Sequence, residues 1–395
     1  MDTSDGRCAA GEGRCGLYIH IPFCVSKCGY CDFYSIALKN RDSTPFVQRL
    51  CLELASRVGG TPYHVRTVYV GGGTPTAIPV DQLKTLLRTV SRVIPVDALD
   101  EYTVEANPAT VDNTKAELFE NEGVTRVSLG AQSFIARELT ALERLHTPDD
   151  IAPSIDVLRS HGIGRVNLDL IFGIPGQTLD SWRKSLRRTL DLGVEHISAY
   201  GLTYEPGTPL HDLRRRRLVT PCTEKLETEL YLAADDLLTS AGYEHYEISS
   251  YAKPGGRCRH NLIYWRNEGY IGVGPSAAGC LDRRRYKNVS DLDEYVRMMD
   301  ELGHAEDEAE TLDVPTVLTE VMMLQLRLTE GMSVASLHDL CGGDALEWLS
   351  GVLPHLLEQG LVTRTDTHIA LTSKGRLVGD AVVRELASSI PSVGL

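Results

Sequence analysis

The sequence LYIHIPFCVSKCGYC, residues 17–31, carries an apolar, β-branched segment into a loop with three closely spaced cysteines. Residues 17–23 predict a buried β-strand, and the loop after it holds Cys24, Cys28 and Cys31 in the spacing Cys-x3-Cys-x2-Cys. Three thiolates on so short a loop can surround one metal centre, although a structural zinc ion normally takes four ligands. Three cysteines on a four-iron cluster leave one iron open to a small molecule. The stretch therefore favours an iron–sulfur cluster with an open coordination site.

Further β-branched runs recur along the chain, separated by amphipathic stretches. The predicted strands cover residues 17–23, 67–70, 102–105, 126–129, 166–172 and 196–200, and the predicted helices cover residues 46–58, 80–93, 151–161 and 179–192. This alternation is typical of βα units around a parallel sheet. Six units predict an α/β fold with a partial (β/α)6 barrel, short of the eight strands that close a full one.

Unusual residues follow the ends of the predicted strands, where the chemistry of such folds gathers. The second strand runs into the glycine-rich sequence GGGTP, residues 71–75, the third ends at Glu105, and the fourth leads to Gln132. Asp169 interrupts the apolar run of the fifth strand. Glycines permit a positive φ and a close backbone approach to a ligand, although the run alone is also typical of a tight turn. We therefore expect a ligand pocket at this end of the barrel.

The composition limits the class of protein. The chain has 395 residues, a net charge of −14 and 42% hydrophobic residues, which is typical of a globular protein of two or three domains. Residues 1–16 are predicted to be a flexible tail without an apolar stretch, so we expect no secretory signal and a cytoplasmic location. No apolar run approaches the ~18 residues that span a bilayer, so any membrane contact would be peripheral. In a reducing compartment the ten cysteines are ligands or free thiols, and the acidic balance argues against a nucleic-acid partner.

Three further segments follow the barrel, which we take as residues 17–245. Residues 246–299 form a region that holds the sequence His-Asn-x-x-Tyr-Trp and is Gly- and Tyr-rich to about residue 279, with a flexible loop expected at residues 272–279. A solvated acidic linker covers residues 300–313. The last segment, residues 314–395, predicts helices at 314–328, 334–340 and 345–359, a strand pair at 361–364 and 368–371, and a final helix. This order predicts a winged-helix-like domain. Because its helices lack a Lys/Arg cluster that would neutralise phosphates, an interaction module is favoured over DNA binding.

The segment from Tyr18 to Cys24, continuing to Cys28, Tyr30 and Cys31, resembles the radical S-adenosylmethionine (SAM) superfamily. Within it, the sequence is similar to the branch of the oxygen-independent coproporphyrinogen III oxidases (HemN) and the related heme chaperones (HemW). The resemblance extends from about residue 17 to the C-terminus and implies that the (β/α)6 unit is a radical SAM barrel. It also implies a [4Fe-4S] cluster on the three cysteines, with the amino and carboxylate groups of SAM chelating the fourth iron.

The resemblance further implies which residues contact SAM at successive strand ends. These residues are Tyr18, Tyr30, Gly72, Gly73, Thr74, Glu105, Gln132, Arg144, Asp169 and Thr203. By this analogy Arg144 would pair with the SAM carboxylate in bidentate fashion. Glu105 would meet the SAM amino group or ribose hydroxyls, and Asp169 would accept hydrogen bonds from the ribose.

Two departures from the oxidases bear on the activity. Phe33 stands two residues after Cys31, where the oxidases typically have a fourth cysteine. Only about 16 residues precede the first strand, whereas the oxidases have an N-terminal extension that helps to form the substrate site and a second SAM site. Both departures weaken the interpretation as an oxidase without affecting the cluster.

The sequence His260-Asn-Leu-Ile-Tyr264-Trp265 resembles the His-Asn-x-x-Tyr-Trp motif of the heme-chaperone branch. It offers an imidazole for iron and two flat rings for a macrocycle, and Cys258 is a second axial candidate. Basic runs at residues 214–217 and 283–285 would attract heme propionates, although solvated loops are favoured. The leading hypothesis is therefore a chaperone that binds heme through His260 and delivers it to acceptor hemoproteins such as apo-cytochromes, with SAM cleavage slow if present. The alternatives are an oxidative decarboxylase of coproporphyrinogen III and a metal-bound regulator that uses the C-terminal domain.

Overall fold

The computed structural model describes residues 13–39, 41–341 and 345–390. Most of the predicted N-terminal tail, including Cys8, lies outside these residues. The predicted boundary of the tail at residue 16 is wrong, because the first strand already begins at Arg14 and buries Cys15. Burial raises the pKa of the Cys15 thiol to about 12, which makes it a core residue rather than a reactive one.

All six predicted barrel strands are present, and further strands extend the sheet. The strands are β1 (Arg14–Ile21), β2 (Phe23–Cys24), β3 (Ile36–Ala37), β4 (His64–Gly72), β5 (Glu101–Ala106), β6 (Arg126–Gln132), β7 (Arg165–Phe172), β8 (His196–Gly201), β9 (Glu244–Glu247), β10 (Ser250–Ala252), β11 (Tyr270–Val273), β12 (Ala278–Leu281), β13 (Arg284–Asn288), β14 (Glu306–Thr311), β15 (Met332–Ser333), β16 (Val362–Arg364) and β17 (His368–Leu371). Pro22, which has no N–H to donate, separates β1 from β2.

Helices alternate with the barrel strands and then dominate the C-terminal part. They are α1 (Thr44–Gly59), α2 (Val80–Val93), α3 (Asn113–Asn121), α4 (Ala136–Ala141), α5 (Ile151–Ser160), α6 (Leu179–Asp191), α7 (Pro209–Arg215), α8 (Glu224–Ser240), α9 (Arg259–Trp265), α10 (Leu292–Leu302), α11 (Val314–Gln325), α12 (Val334–Cys341), α13 (Ala345–Leu349), α14 (Leu353–Glu358), α15 (Ser373–Arg376) and α16 (Gly379–Ala387). Since α9 holds the His-Asn-x-x-Tyr-Trp motif, the motif is helical.

The main sheet has 12 strands in the order β14-β13-β12-β11-β1-β4-β5-β6-β7-β8-β10-β9. Strands β1 and β4 to β8 are mutually parallel and form the predicted (β/α)6 unit. The helices pack outside it; α2, for example, buries Leu83, Leu86, Leu87 and Val90, whose spacing of three and four residues places them on one face. The carboxyl ends of six parallel strands therefore meet at one edge of the sheet, the edge at which the predicted site residues lie.

Two predicted irregular segments belong in part to the sheet. The predicted loop at residues 272–279 is shorter than expected, because residues 272–273 belong to β11, residues 278–279 belong to β12, and residues 274–277 form the turn between them. The acidic stretch is not a solvated linker, because β14 pairs antiparallel with β13 at the edge of the sheet. Arg285 pairs with Glu310 at 2.9 Å and Arg284 pairs with Glu306, so two of the three arginines in the basic run 283–285 are already paired within the protein. Charged side chains protect an edge strand from further pairing, which explains why a strand resembles a linker in composition.

Residues after β14 form a separate helical unit with its own apolar core and the small sheet β15-β17-β16. The predicted strand pair is confirmed as β16 and β17, and the winged-helix-like assignment of the whole unit stays a prediction. The single helix predicted at 345–359 is wrong; the structure has α13 and α14, and Pro354 stands in the first turn of α14, where a missing N–H costs nothing. Among the described helices, none is both long enough and apolar enough to cross a bilayer.

Candidate functional site

Backbone hydrogen bonds within and beside the cysteine loop stabilise its conformation. Cys24 ends β2, which pairs with β3 after the loop, and the Leu38 N–H donates to the Cys24 carbonyl at 2.8 Å. Within the loop the Cys31 N–H donates to the Cys28 carbonyl at 3.2 Å. The loop therefore presents its three thiols from a short, braced segment at the carboxyl end of β1, as the sequence predicts.

Two polar side chains contact the thiols from neighbouring elements. The Thr74 hydroxyl donates to Cys24 Sγ at 3.6 Å, and Arg144 Nη1 donates to Cys28 Sγ at 3.6 Å. Burial raises the pKa of Cys24 and Cys31, and the neighbouring thiols raise both further because like charges repel. The three thiols are thus near one another, in a setting that needs positive charge before all can ionise.

This donor set fits an iron–sulfur cluster. In the described part of the chain, no three His, Cys, Asp or Glu side chains converge as the ligands of a single metal ion would. A [4Fe-4S] cluster requires no such convergence, because each cysteine binds a different iron. Cys24, Cys28 and Cys31 are all reduced and partly accessible.

The glycine-rich segment continues β4 beside the cysteine loop. The Gly73 N–H donates to the Ile21 carbonyl at 2.8 Å, and the Thr74 N–H donates to the Phe23 carbonyl at 2.7 Å. Gly72 has φ +106°, and a Cβ there would lie 2.5 Å from the His20 ring. Glycine at this position is therefore required by the close approach of β1 and β4, and that approach positions the cysteine loop.

Glu105 is a half-buried carboxylate at the end of β5. Its Oε1 accepts from the Tyr69 hydroxyl at 2.7 Å, and its Oε2 accepts from the Gly72 N–H at 3.1 Å. Among the described residues no Lys or Arg forms an ion pair with it, and burial, reinforced by the charge of Asp169, raises the pKa of Glu105 to about 7. A ligand with an ammonium group would supply the missing charge, so Glu105 fits the amino group of SAM.

Asp169 is a second half-buried carboxylate of the same pocket. Its Oδ2 accepts from the Ser128 hydroxyl at 3.0 Å, and its Oδ1 accepts from Asn167 Nδ2 at 2.8 Å. Burial raises the pKa of Asp169 above its ordinary value. The carboxylate retains acceptor capacity beyond these two bonds, which fits hydrogen bonds from ribose hydroxyls.

Arg144 links the cysteine loop to two strand ends. Besides Cys28, its guanidinium donates to the Gly130 carbonyl at 2.7 Å and to Asn107 Oδ1. Its Nε is buried and lacks a hydrogen-bond partner. Because both terminal nitrogens are engaged, a bidentate pair with the SAM carboxylate would use Nε and share one terminal nitrogen.

The other predicted SAM-contacting residues differ in burial and in the contacts that they make with the protein. The Tyr18 hydroxyl is 2.9 Å from His20 Nδ1, and Tyr30 packs on an apolar cluster between the loop and β7. Gln132 is buried at the end of β6 with φ +63°. Thr203 is exposed in the loop after β8 and makes no hydrogen bond among the residues that the structure describes. Tyr18 therefore hydrogen-bonds within the pocket, Tyr30 packs against the neighbouring apolar cluster, Gln132 is buried at its strand end, and Thr203 lies at the surface.

The sequence prediction missed the polar residues that hold the two carboxylates. Tyr69 and Asn167 each lie two positions before a predicted residue or motif, namely the glycine segment and Asp169. Residues i and i+2 of a strand share a face. Strand alternation therefore would have found both of them.

His260 is deeply buried, contrary to the expectation of a ligand-facing imidazole. The residue has no exposed surface; its Nδ1 bonds with the Thr67 hydroxyl at 2.7 Å and its Nε2 with the Tyr264 hydroxyl at 3.0 Å. Burial lowers the pKa of His260 to about 3, so the ring is neutral. Axial ligation of an iron from this position would require one of these hydrogen bonds to break. Cys258 is also buried, with its pKa raised to about 12 by burial.

A cleft of about 310 Å³ lies on the other side of α9. Its walls are Arg14, Cys15, Arg66, Thr67, Asp100, Arg259, Leu262, Ile263, Arg266 and Glu268. Asp100 pairs with Arg66 at 2.5 Å and with Arg259 at 3.4 Å, while Arg266 pairs with Glu330 at 3.1 Å. The cleft therefore combines a partly apolar wall with guanidinium groups at the amino ends of β1 and β4.

Comparisons with known proteins agree with this geometry. Residues 18–189 match the model of the radical SAM superfamily, and residues 312–378 match the model of the HemN C-terminal domain. Coproporphyrinogen III oxidase (HemN) from Escherichia coli has a similar structure, with a TM-score of 0.78, 22% identity and coverage of 96% of this chain and 90% of that chain. At this identity the likeness shows the fold.

Two relatives are similar along most of their length. The heme chaperone HemW of Bacillus subtilis (strain 168) is 34% identical over 368 residues, which cover 92% of this chain and 97% of that protein. The heme chaperone HemW of Mycobacterium tuberculosis (strain CDC 1551 / Oshkosh) is 37% identical over 382 residues, which cover 94% of each protein. The chain therefore belongs to the HemW family within the radical SAM superfamily.

Proposed function

We propose that this chain is a cytoplasmic heme chaperone that carries a [4Fe-4S] cluster, binds SAM, and delivers heme to acceptor hemoproteins such as apo-cytochromes. The observation that carries the proposal is the near full-length similarity to proteins named heme chaperone HemW. The absence of a fourth cysteine supports it, since Phe33 at that position is 65% exposed and contributes no ligand.

Different residues of the pocket would bind the cluster and SAM. Cys24, Cys28 and Cys31 would bind three irons, while Arg144 donates to Cys28 and offsets its negative charge. When bound, the cluster would supply an electron and an open iron for SAM. Glu105 would pair with the ammonium group of SAM because no described Lys or Arg forms an ion pair with that carboxylate, although the charge of Arg126 lowers its pKa.

Asp169, which already accepts hydrogen bonds from Ser128 and Asn167, would also accept from the ribose hydroxyls. Gly72 and Gly73 would bring the backbone close to the methionine end of SAM, beside Thr74. These roles assign no proton transfer to the chain.

Heme would bind at the outer face of α9. Heme is a flat apolar ring with two carboxylates, and the cleft there has an apolar wall from Leu262 and Ile263 beside Arg259 and Arg266. Guanidinium groups match carboxylates in planar, bidentate geometry. Arg14 strengthens this assignment because it makes no ion pair with another described residue. The His-Asn-x-x-Tyr-Trp helix would thus contact heme through the residues between and beside the motif positions.

An anaerobic hemin titration of the cluster-reconstituted protein, followed by visible absorbance, tests the proposal. We expect saturation near one heme per chain. The double variant Arg259→Gln/Arg266→Gln should weaken binding by at least about tenfold, since the loss of even one charge-assisted contact typically has this effect. Arg215→Gln/Arg216→Gln is the matched control, because it removes the same charge from the exposed basic run at residues 214–217.

The outcomes separate three possibilities. No saturable binding by the wild type would overturn the chaperone proposal, and conversion of the propionates of coproporphyrinogen III to vinyl groups would favour the decarboxylase instead. Equal weakening by both double variants would show that net charge, rather than the cleft, attracts heme. Cluster binding is tested separately, since Cys28→Ala must lower iron content and SAM binding.

A further inference from the structure

The His-Asn-x-x-Tyr-Trp helix closes the amino end of the barrel, opposite the cluster. Glu101, the first residue of β5, accepts from the Arg259 N–H at 3.0 Å and from the His260 N–H at 3.2 Å. Thr67, near the start of β4, holds the His260 ring. At about 3.3 Å per strand residue, Thr67 lies roughly 16 Å along β4 from Gly72. The motif helix, called the floor below, therefore lies at the end of the barrel opposite the SAM pocket.

One chain of contacts runs from this floor to Glu105. The His260 ring stacks on the Tyr69 ring, with centroids 5.2 Å apart and planes 28° apart. The Tyr69 hydroxyl donates to Glu105, and the same carboxylate accepts from the Gly72 N–H. Thr67 and Tyr264 bond to the two nitrogens of His260 and so fix the orientation of the imidazole ring. The Tyr69 ring packs against this fixed surface, which determines its position.

A second chain runs from the same segment to Asp169. The Cys258 N–H donates to the Tyr246 hydroxyl at 3.3 Å, and that hydroxyl bonds with His196 Nε2 at 2.8 Å. His196 Nδ1 bonds with Asn167 Oδ1 at 2.6 Å, and Asn167 Nδ2 donates to Asp169 at 2.8 Å. Both carboxylates of the pocket are thus reached from residues 246–264 through buried histidines.

We propose that His260 is a positioning residue for SAM binding, which holds Tyr69 and through it Glu105, while the Tyr246–His196 chain holds Asp169. The inference rests on the SAM site of the proposed function and is independent of heme. It assigns the motif a role at the SAM end of the molecule. Since burial keeps His260 neutral, its ring can stack and accept or donate without adding charge to the pocket.

A double-mutant cycle on SAM binding tests the coupling. The dissociation constant of SAM would be measured by equilibrium dialysis on cluster-reconstituted wild type, His260→Ala, Tyr69→Phe and the double variant. We expect Tyr69→Phe to weaken SAM binding about tenfold, since it removes a hydrogen bond to a charged group. His260→Ala should weaken it to a similar extent, and the double variant should be no weaker than Tyr69→Phe, because both changes remove the same link.

Tyr295→Phe is the matched control. The Tyr295 hydroxyl donates to the buried carboxylate of Glu53 at 2.7 Å, so this variant also removes a buried Tyr–Glu hydrogen bond. The contact joins α1 and α10, outside the barrel. We expect SAM affinity within twofold of the wild type, at equal iron content.

Three results would overturn the inference. Multiplicative effects of His260→Ala and Tyr69→Phe would show that the two residues act independently. An unchanged SAM affinity in His260→Ala would remove the positioning role, and a loss of heme with SAM binding retained would make His260 a heme contact instead. If His260→Ala does not fold, Tyr264→Phe, which removes only the hydroxyl bound to His260, takes its place in the cycle. Failure of the proposed SAM site itself would already appear as no SAM binding by the wild type.

Discussion

Glu105→Gln should abolish a pH-dependent loss of stability in the cluster-free chain. Burial raises the pKa of Glu105 to about 7 in the folded chain, against an ordinary value of 4.5. The folded state therefore holds this proton more tightly than the unfolded state does. The stability that the proton contributes is fully present below pH 4.5 and is lost as the pH rises through 7.

The size of the effect follows from the two pKa values. The whole shift corresponds to about 3 kcal/mol, of which about 2 kcal/mol is lost between about pH 5.5 and about pH 8. Glutamine has no proton to release in this range. Its amide nitrogen cannot accept from the Gly72 N–H, but that cost is equal at both pH values and cancels from the comparison.

Urea unfolding of the cluster-free protein, followed by circular dichroism at both pH values, measures this difference. Relative to wild type, Glu105→Gln should be more stable at pH 8 than at pH 5.5 by about 2 kcal/mol. Glu117→Gln, a change at an exposed carboxylate of α3, should keep the pH dependence of the wild type. If wild type and Glu105→Gln lose equal free energy between the two pH values, the carboxylate is not the titrating group and the argument for a missing cationic partner fails.

Three further changes test the supports of the site. Arg144→Gln removes the donor to Cys28 and should weaken cluster retention about tenfold, measured as iron loss to a chelator. Glu101→Ala leaves the first N–H groups of α9 without an acceptor and should cost about 3 kcal/mol in urea unfolding, whereas Glu101→Gln, which keeps one acceptor oxygen, should cost less. Gly72→Ala forces a side chain into φ +106° and against the His20 ring, so it should cost about 2 kcal/mol and weaken SAM binding together.

The barrel was predictable because each strand and helix carries its own local signal. The β-branched runs predict the strands, and the apolar spacing of α2 predicts that helix. Because the strands are parallel, the residues that follow their carboxyl ends gather at one edge of the sheet. The edge strand β14 was not predictable in the same way. Its side chains are charged and exposed, and only its pairing with β13 makes it a strand. Local composition does not contain that partner.

The site residues likewise divide into those that the local sequence predicts and those whose role depends on tertiary contacts. The three cysteines and Glu105 were predictable, because their residue types are unusual where strands end. The direction in which His260 points was not. By residue type alone, an imidazole beside aromatic residues fits a metal ligand and a core residue equally well. The hydrogen bonds from Thr67 on β4 and from Tyr264, one helical turn away on α9, make His260 a core residue.

The two faces of α9 explain how one short helix can serve both proposed ligands. His260 and Tyr264 face inward, toward the residues that hold Glu105, whereas Arg259 and Arg266 line the outer cleft. A heme that shifts α9 would therefore change the support of the Glu105 carboxylate, and SAM that fixes Glu105 would change the cleft. Such coupling between two binding sites is reciprocal, because each ligand must alter the affinity of the other by the same factor. Because the Glu101 carboxylate accepts from the first N–H groups of α9, any such shift would have to strain or break these two hydrogen bonds.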